Sequence, residues 1–290
     1  MKKIIEIGTV TSFRKEFWID QINLSSQIEF VGVSIDEDNL TELWGQYKDE
    51  IDMFIVEDYL LGEKLRHLLR KTPHDVSEVH GYDTILKEPG GLWPHPFIRQ
   101  AIHELIPVRA PDLDTRLMAY VTGVGPICRM VLSVLVQIGY RKINLVADQI
   151  EMGEAIIRDA RRQYFGVEFY LMKSEELTLQ PNNGTILVNT IPLDSQREII
   201  EDLSYLNFIF RNGLIMETNL LPLTHQLLDE ATNMGLRVVT GAEVQGQADW
   251  VRLQRLGVDI GIGQNEYHRK WLAFLSEKLK VEKPVEGPVT

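Results

Sequence analysis

The sequence predicts an α/β protein whose second half folds around a doubly wound parallel sheet, with a smaller α/β domain before it. From Leu117 onward, short apolar segments alternate with helical segments at regular spacing, as in a parallel sheet covered by helices. The first third shows the same order in shorter units. A chain of 290 residues is long enough for two ordinary domains.

The first third predicts three strand–helix units and then a loop. In chain order we expect strand Lys3–Ile7, helix Phe17–Leu24, strand Glu29–Ser34, helix Leu40–Tyr47, strand Met53–Val56 and helix Gly62–Leu69. We expect these strands to be parallel. Residues Thr72–Pro96 hold four prolines and the run EPGGLWPHP, which predicts a long loop. Its segment Trp93–Pro96 is expected either to be pinned on the surface or to form a lid.

The second half predicts longer and cleaner elements. Helix Phe97–Leu105 leads to strands Leu117–Thr122, Lys142–Ala147, Val167–Leu171, Gly184–Asn189, Leu214–Glu217 and Arg237–Thr240. The helices expected among and after them are Cys128–Ile138, Met152–Tyr164, Pro222–Met234, Trp250–Leu256 and Glu266–Leu279. We therefore expect a substrate domain at 1–115, the doubly wound domain at 116–262, and a C-terminal helix in 263–290 that packs back on the first domain.

Composition and charge exclude several classes of partner. The content of 44% hydrophobic and 25% charged residues is that of a globular protein. The formal net charge of −12 argues against nucleic acid, whose binding needs clustered Lys and Arg. No apolar run reaches the ~18 residues of a membrane span, and the N-terminus does not resemble a signal peptide. With one cysteine, Cys128, no internal disulfide can form, so we expect a cytoplasmic protein. The sequence leaves oligomeric state open, with a homodimer as one option.

A glycine turn follows the first strand of the second half. The sequence Thr122-Gly123-Val124-Gly125-Pro126-Ile127 joins a strand to a helix, the context that a dinucleotide fingerprint requires. Gly123 would make the tight turn, and Gly125 would let the backbone approach a pyrophosphate at the helix N-terminus. Pro126 suits the first helical turn. This turn predicts a Rossmann-type nucleotide site that includes Ile127.

Two further positions of the fingerprint bear on the ligand. Asp148 lies 23 residues after Gly125, at the end of the next strand. There it would either accept hydrogen bonds from the adenosine ribose or cap the following helix. A carboxylate there would repel a 2′-phosphate, which favours NAD over NADP. Cys128 stands at the third fingerprint position, where we expect a small core residue rather than a reactive thiol.

Several short motifs then follow in a fixed order. Leu187–Leu193 reads LVNTIPL, and Asn219, Pro222, Leu227, Leu228, Gly235 and Gly241 come after it. With the glycine turn, these make residues 121–259 resemble the C-terminal half of the shikimate/quinate dehydrogenase family. In NADP-using members, Asn-Arg-Thr stands where this chain has Ala147-Asp148-Gln149, and the departure again indicates NAD.

The resemblance implies further site residues. Asn189, Thr190 and Ile191 would lie on the nicotinamide side of the cofactor. Glu217 would either lie near the ribose and nicotinamide or cap its strand. Gln247 is the nearest equivalent of a substrate-binding glutamine, and Ser12 would correspond to part of a serine pair that binds the substrate carboxylate.

The first third departs from the family at its catalytic positions. The family's Asn-Val-Thr…Pro…Lys and Asn-Thr-Asp-Gly motifs, which carry a Lys–Asp acid/base pair, are not matched. The replacements that this sequence offers are Lys64 and Tyr59 and, for the aspartate, Gly81-Tyr82-Asp83-Thr84 or Asp112-Leu113-Asp114-Thr115. Glu57 is a further acid or base at the strand end. Shikimate itself is therefore not the expected substrate.

The resemblance implies an NAD(P)-dependent oxidoreductase acting on a small polar, hydroxylated substrate. Two alternatives stay open: a nucleotide-binding or regulatory protein that has lost the Lys–Asp pair, and a transferase that uses a nucleotide-like methyl donor at the same turn. The histidines fit no standard metal-ligand spacing, so no metal is expected.

Overall fold

Two sheets form the framework of the protein. The computed structural model describes residues 1–7, 11–33, 39–57, 59–69, 72–192 and 205–280. A five-stranded sheet in the order β2-β1-β3-β4-β5 is followed along the chain by a six-stranded sheet in the order β11-β10-β9-β6-β7-β8. The predicted fold class, a Rossmann sheet with a second, smaller α/β domain, is confirmed.

The first sheet combines parallel and antiparallel strands. Its strands are β1 (Lys2–Ile7), β2 (Ile28–Val33), β3 (Met53–Val56), β4 (Thr84–Glu88) and β5 (Gly91–His95). The helices of this part are α1 (Thr11–Glu16, continued by a π-helical segment Phe17–Gln21), α2 (Leu40–Tyr47), α3 (Tyr59–Arg66) and α4 (His74–Val79). β1 pairs in parallel with β2 and β3, as expected. The pairs β3–β4 and β4–β5 are antiparallel, so two strands that the sequence did not predict extend the parallel part of the sheet.

The prediction of a long loop at Thr72–Pro96 is wrong. This segment contains α4 and the hairpin of β4 and β5, which closes through Pro89 and Gly90. Gly90 and Gly91 adopt positive φ angles of 97° and 133°, so the glycines make the turn of a hairpin. Pro94 lies in β5, the edge strand of the sheet, where a missing N–H is tolerated. Trp93–Pro96 is therefore largely strand, paired with β4, which argues against a lid.

The second sheet is the doubly wound one. Its strands are β6 (Met118–Thr122), β7 (Lys142–Val146), β8 (Glu168–Met172), β9 (Gly184–Asn189), β10 (Ile209–Glu217) and β11 (Arg237–Val239), all paired in parallel. The helices are α5 (Phe97–Arg109) before β6, then α6 (Pro126–Gln137), α7 (Ile150–Gln163) and α8 (Gln226–Asn233). The strand order reverses between β6 and β9, and ligands of doubly wound sheets bind at such a switch point, beyond the carboxyl ends of the strands.

Two C-terminal helices tie the sheets together. α9 (Gly241–Leu256) packs along α5, and α10 (Gln264–Lys280) packs on α9 and on the segment after α1. Phe17, Trp18 and Trp271 lie in one buried cluster, and Trp18 Nε1 donates a hydrogen bond to Tyr267 Oη at 2.9 Å. α10 thus packs against the first third of the chain. Among the described residues, no helix is long and apolar enough to cross a membrane.

Candidate functional site

The glycine turn lies at the switch point, and its two glycines have different surroundings. Gly123 has a φ of 95°, and a Cβ there would lie 2.6 Å from Thr190 Oγ1. Gly125 is exposed, and a Cβ there would meet no atom within 4 Å. Pro126 begins α6, so the next N–H groups, from Ile127 on, belong to a helical turn without intrahelical acceptors. The turn offers an open, electropositive approach for an anion.

An exposed carboxylate lies on the neighbouring strand at the same edge. β6 and β7 pair with Thr122 opposite Val146, which places Asp148 two residues beyond that pair. Asp148 is exposed, and Ser174 donates hydrogen bonds to it from its backbone N at 3.1 Å and from its Oγ at 3.2 Å. The carboxylate is therefore anchored from the protein side and open on the solvent side.

A buried hydrogen-bond network holds the turn after β9. The Thr122 hydroxyl donates to Asn189 Oδ1 at 2.5 Å and accepts from Thr190 N at 3.2 Å. Asn189 Nδ2 donates to Ile191 O at 3.2 Å, and Thr190 Oγ1 donates to Thr122 O. These side chains are buried and fix the backbone beside Gly123. Leu193, the last residue of the family-like motif, lies outside the described residues.

Glu217 extends this network under the strand ends. Its carboxylate accepts from Asn189 Nδ2 at 2.6 Å and from Asn219 N at 2.7 Å, and His225 Nε2 lies 3.3 Å from Glu217 Oε2. Glu217 is fully buried. Through these contacts Glu217 holds the end of β10 against the segment after it.

A second group of polar residues lies at the carboxyl edge of the first sheet. We call it the charged network; its members are Glu6, Arg14, Glu57, Asp83, Asp249 and Arg252. Arg14 Nε donates to both oxygens of Asp249 at 3.0 Å, and its Nη2 donates to Glu57 Oε1 at 2.6 Å. Arg14 also pairs with the buried Glu6. Burial alone would lower the pKa of Arg14, but Asp249 and Glu57 raise it above its ordinary value.

Arg252 completes the charged network. It donates to Asp83 Oδ1 at 2.7 Å and to Thr84 Oγ1 at 2.9 Å, and it pairs with Asp249 one helical turn earlier. Asp83 also accepts from Ile98 N at 2.8 Å, at the start of α5. Arg252 thus joins α9 to the first sheet, and the charge of its buried guanidinium is matched by carboxylates.

Glu57 is the most exposed member of the charged network. Its side chain is 27% exposed. Burial would raise the pKa of Glu57, but the charges of Arg14 and Arg252 outweigh this effect and hold the pKa below its ordinary value. Glu57 is therefore ionised at neutral pH and a weak base.

Comparison with known proteins gives matches to solved structures only. No protein-family model matches the chain, and no curated protein matches it. Shikimate 5-dehydrogenase from Thermus thermophilus, in complex with NADP(H) and shikimate, superposes with a TM-score of 0.72 at 16% identity, covering 94% of this chain and 100% of that chain. Shikimate dehydrogenase from Mycobacterium tuberculosis gives 0.74 at 14%, covering 94% and 100%. Quinate dehydrogenase from Corynebacterium glutamicum, in complex with NAD, gives 0.73 at 14%, covering 93% and 98%.

The chain has the fold of the shikimate and quinate dehydrogenases. The resemblance stated for residues 121–259 is confirmed at the level of fold. The similarity also covers the first domain of this shikimate dehydrogenase fold, although the sequence motifs of that domain did not match.

Asp114, one of the three catalytic candidates from the sequence, lies far from the glycine turn. Asp114 precedes β6, whereas the glycine turn follows it, so the length of the strand, roughly 16 Å, separates them. Asp114 is ion-paired with Arg116, which lowers its pKa to about 2. This position argues against the catalytic role given to Asp114. Lys64 is exposed on the last turn of α3. The side chains of Tyr59 and Ser12 lie outside the described part of the chain.

The glutamine predicted to bind substrate lies on the side of α9 away from the charged network. Gln247 Nε2 donates to Glu104 on α5, and Gln247 Oε1 accepts from Gln264 at 2.8 Å. Gln245 instead donates to Asp249 Oδ1 at 3.1 Å, because residues four apart share a helix face. The geometry therefore favours Gln245 over Gln247 as the glutamine nearest the first sheet.

The remaining candidates have simple structural roles. Cys128 is fully buried in the Rossmann core, and burial raises the pKa of its thiol to about 12, as expected for a core residue. The described residues contain no group of three His, Cys, Asp or Glu side chains that could hold a metal.

Proposed function

We propose that the protein is an NAD(H)-dependent oxidoreductase that acts on a small polar, hydroxylated substrate other than shikimate. The observation that carries this proposal is the glycine turn at the switch point, with the exposed Asp148 on the adjacent strand. Bound there, a nicotinamide dinucleotide would supply the hydride donor or acceptor.

The residues present fit that cofactor. The open backbone at Gly125 and the N-terminus of α6 would hold the pyrophosphate, and Asp148 would accept hydrogen bonds from the ribose diol. Lys173 directly precedes the serine that anchors Asp148, and its ammonium lies 3.8 Å from the Glu175 carboxylate. The carboxylate of Asp148 favours NAD over NADP, because it would repel a 2′-phosphate.

Helix α9 connects the edges of the two sheets. α9 begins at Gly241, where a Cβ would collide with Asn219 O at the edge of the Rossmann sheet. Eight residues later, Asp249 reaches the charged network. That interval of helix rises roughly 12 Å, so one small substrate could lie beside both the nicotinamide side and the charged network.

A second candidate is a nucleotide-binding protein without turnover. The specific observation in its favour is that the described acidic and basic groups at the edge of the first sheet pair with one another in the charged network. Glu57, the most exposed of them, is a weak base, whereas an efficient general base has a pKa near the working pH.

The first test is calorimetric titration of the protein with NAD, NADH, NADP and S-adenosylmethionine. We expect NAD and NADH to bind more tightly than NADP. Asp148→Ala should weaken NADH binding by about 10- to 100-fold, since a hydrogen bond to a charged group contributes ~1.5–3 kcal/mol. Glu154→Ala, which removes an exposed carboxylate from α7, is the matched control and should leave binding unchanged.

The possible results separate the candidate functions. The proposal would be refuted if neither NAD nor NADH binds. Binding of S-adenosylmethionine alone would indicate the transferase alternative. If NADH binds, a screen of small hydroxylated substrates for a change in NADH absorbance decides between turnover and binding alone.

A further inference from the structure

Two groups of Ser174, its backbone N–H and its hydroxyl, contact the Asp148 carboxylate. Ser174 Oγ lies 3.2 Å from both carboxylate oxygens of Asp148, and Ser174 N lies 3.1 Å from Oδ1. Ser174 is 6% exposed, whereas Asp148 is exposed to solvent. A buried group therefore anchors an exposed one.

The register of three strands creates this arrangement. Val146 pairs with Thr122 of β6 on one side and with Met172 of β8 on the other. Asp148 and Ser174 each lie two residues beyond their paired positions. Adjacent strands are ~4.8 Å apart, so the glycine turn, Asp148 and Ser174 follow one another along a single edge of the sheet.

Anchoring changes what the carboxylate can do. A free aspartate on the surface rotates about its side-chain bonds, and ordering it on binding costs free energy. The hydrogen bonds from Ser174 order the Asp148 side chain before any ligand binds, so binding does not have to order it. An ionised carboxylate has about four acceptor positions, so those that Ser174 does not use stay available to the hydroxyls of a ribose.

Anchoring also affects discrimination against a phosphate. An unrestrained carboxylate turns away from a 2′-phosphate and so avoids most of the repulsion. A restrained one stays in place, and the repulsion between two negative charges persists.

We propose that Ser174 is a positioning residue that fixes the Asp148 carboxylate and thereby sets the preference for an unphosphorylated adenosine ribose. This inference rests on the proposed NAD site. The competing explanation is purely structural: Asp148 caps the short 3-10 helix Ser174–Leu179 and has no part in ligand selection.

The test measures dissociation constants for NADH and NADPH by fluorescence titration of the wild type, Ser174→Ala and Ser174→Thr. In Ser174→Ala we expect NADH to bind about 10-fold more weakly, as for the loss of one charge-assisted hydrogen bond, and NADPH to bind no more weakly than to the wild type. The NADPH/NADH ratio of dissociation constants should thus fall about 10-fold. Ser174→Thr keeps the hydroxyl and should keep the ratio.

A matched control lies on the same 3-10 helix. Thr178 Oγ1 donates to Glu175 O at 3.2 Å, so Thr178→Ala removes a hydroxyl from this helix without removing a contact of Asp148. It should leave the ratio unchanged. If Ser174→Ala does not fold, Ser174→Cys keeps the side-chain volume with a much weaker donor and should show the same fall in the ratio.

A double-mutant cycle with Asp148→Ala completes the design. Adding Ser174→Ala to Asp148→Ala should produce no further change in the ratio, because the group that Ser174 positions is already absent. An unchanged ratio in Ser174→Ala, or equal weakening of NADH and NADPH, would overturn the inference while leaving the NAD site intact. Failure of the wild type to bind either dinucleotide would instead remove the proposed function, and this inference with it.

Discussion

Replacing Gly246 with alanine tests the packing of the C-terminal helix against α9. A Cβ at Gly246 would lie 2.6 Å from Trp271 Cδ1 and 3.2 Å from Trp271 Nε1. The indole is 1% exposed, donates to Ala242 O at 2.9 Å, and packs edge-on against Phe17 with ring centroids 5.1 Å apart. The ring is enclosed by these contacts and has little room to move away from a new methyl group.

The expected magnitude follows from three contributions. Alanine is favoured over glycine inside a helix by ~1 kcal/mol. Overpacking a filled core costs ~1–3 kcal/mol, and displacing the Trp271 hydrogen bond costs ~1 kcal/mol. We therefore expect Gly246→Ala to lower the free energy of unfolding by ~1–3 kcal/mol.

The control for this prediction is Gly45→Ala. Gly45 is an exposed glycine inside α2, and a Cβ there would meet nothing within 4 Å, so this variant should gain up to ~1 kcal/mol. Urea denaturation followed by tryptophan fluorescence measures both variants, with stability compared at an unchanged m-value. If the two variants change stability equally, the packing argument for Gly246 is refuted.

Three further predictions follow from buried groups. Arg252→Met should lower the free energy of unfolding by ~3–5 kcal/mol, because it leaves the buried Asp83 without its cation. Adding Asp83→Asn to this variant should restore part of the lost stability. A loss below ~1 kcal/mol, measured by urea denaturation, would contradict this prediction. Burial raises the pKa of the Cys128 thiol to about 12. At pH ~8 this thiol should therefore react with a disulfide reagent at least ~100-fold more slowly in the native protein than in urea. Equal rates would show that the thiol is accessible in the native protein. Burial raises the pKa of Tyr140 to about 12, so the native state keeps this proton while the unfolded state loses it above pH ~10. The free energy of unfolding should therefore fall between pH ~10 and ~12. In Tyr140→Phe the fall should be shallower. Stability measurements on both proteins across this pH range test the prediction.

The Rossmann half could be predicted from the sequence because its signals are local. Gly123 and Gly125 stand directly between a strand and a helix, and the long alternating elements leave few other interpretations. The sequence does not reveal the hairpin of the first third, because Gly90, Gly91 and Pro94 are also typical of breaks in regular structure. In a hairpin with an edge strand, the same residues are tolerated or required.

The charged network could not be predicted, because its members are far apart in the chain. Arg14 and Asp249 are separated by 235 residues, and no local pattern relates them. One signal was available: Asp249 and Arg252, three residues apart, lie in a helix whose neighbouring residues are mostly apolar. Helical periodicity applied to Gln245 and Asp249 would also have placed that glutamine, rather than Gln247, near the network.

The pairing of Trp18 with Tyr267 also has a consequence for synthesis of the chain. The two residues are 249 positions apart, so at the usual rate of ~5–20 residues per second the ribosome needs ~12–50 s to make the second after the first. Throughout that interval Phe17 and Trp18 lack the C-terminal helix that packs on them in the folded protein. The first domain therefore emerges first and completes its core last, and the nascent chain exposes an apolar surface for which chaperones would compete.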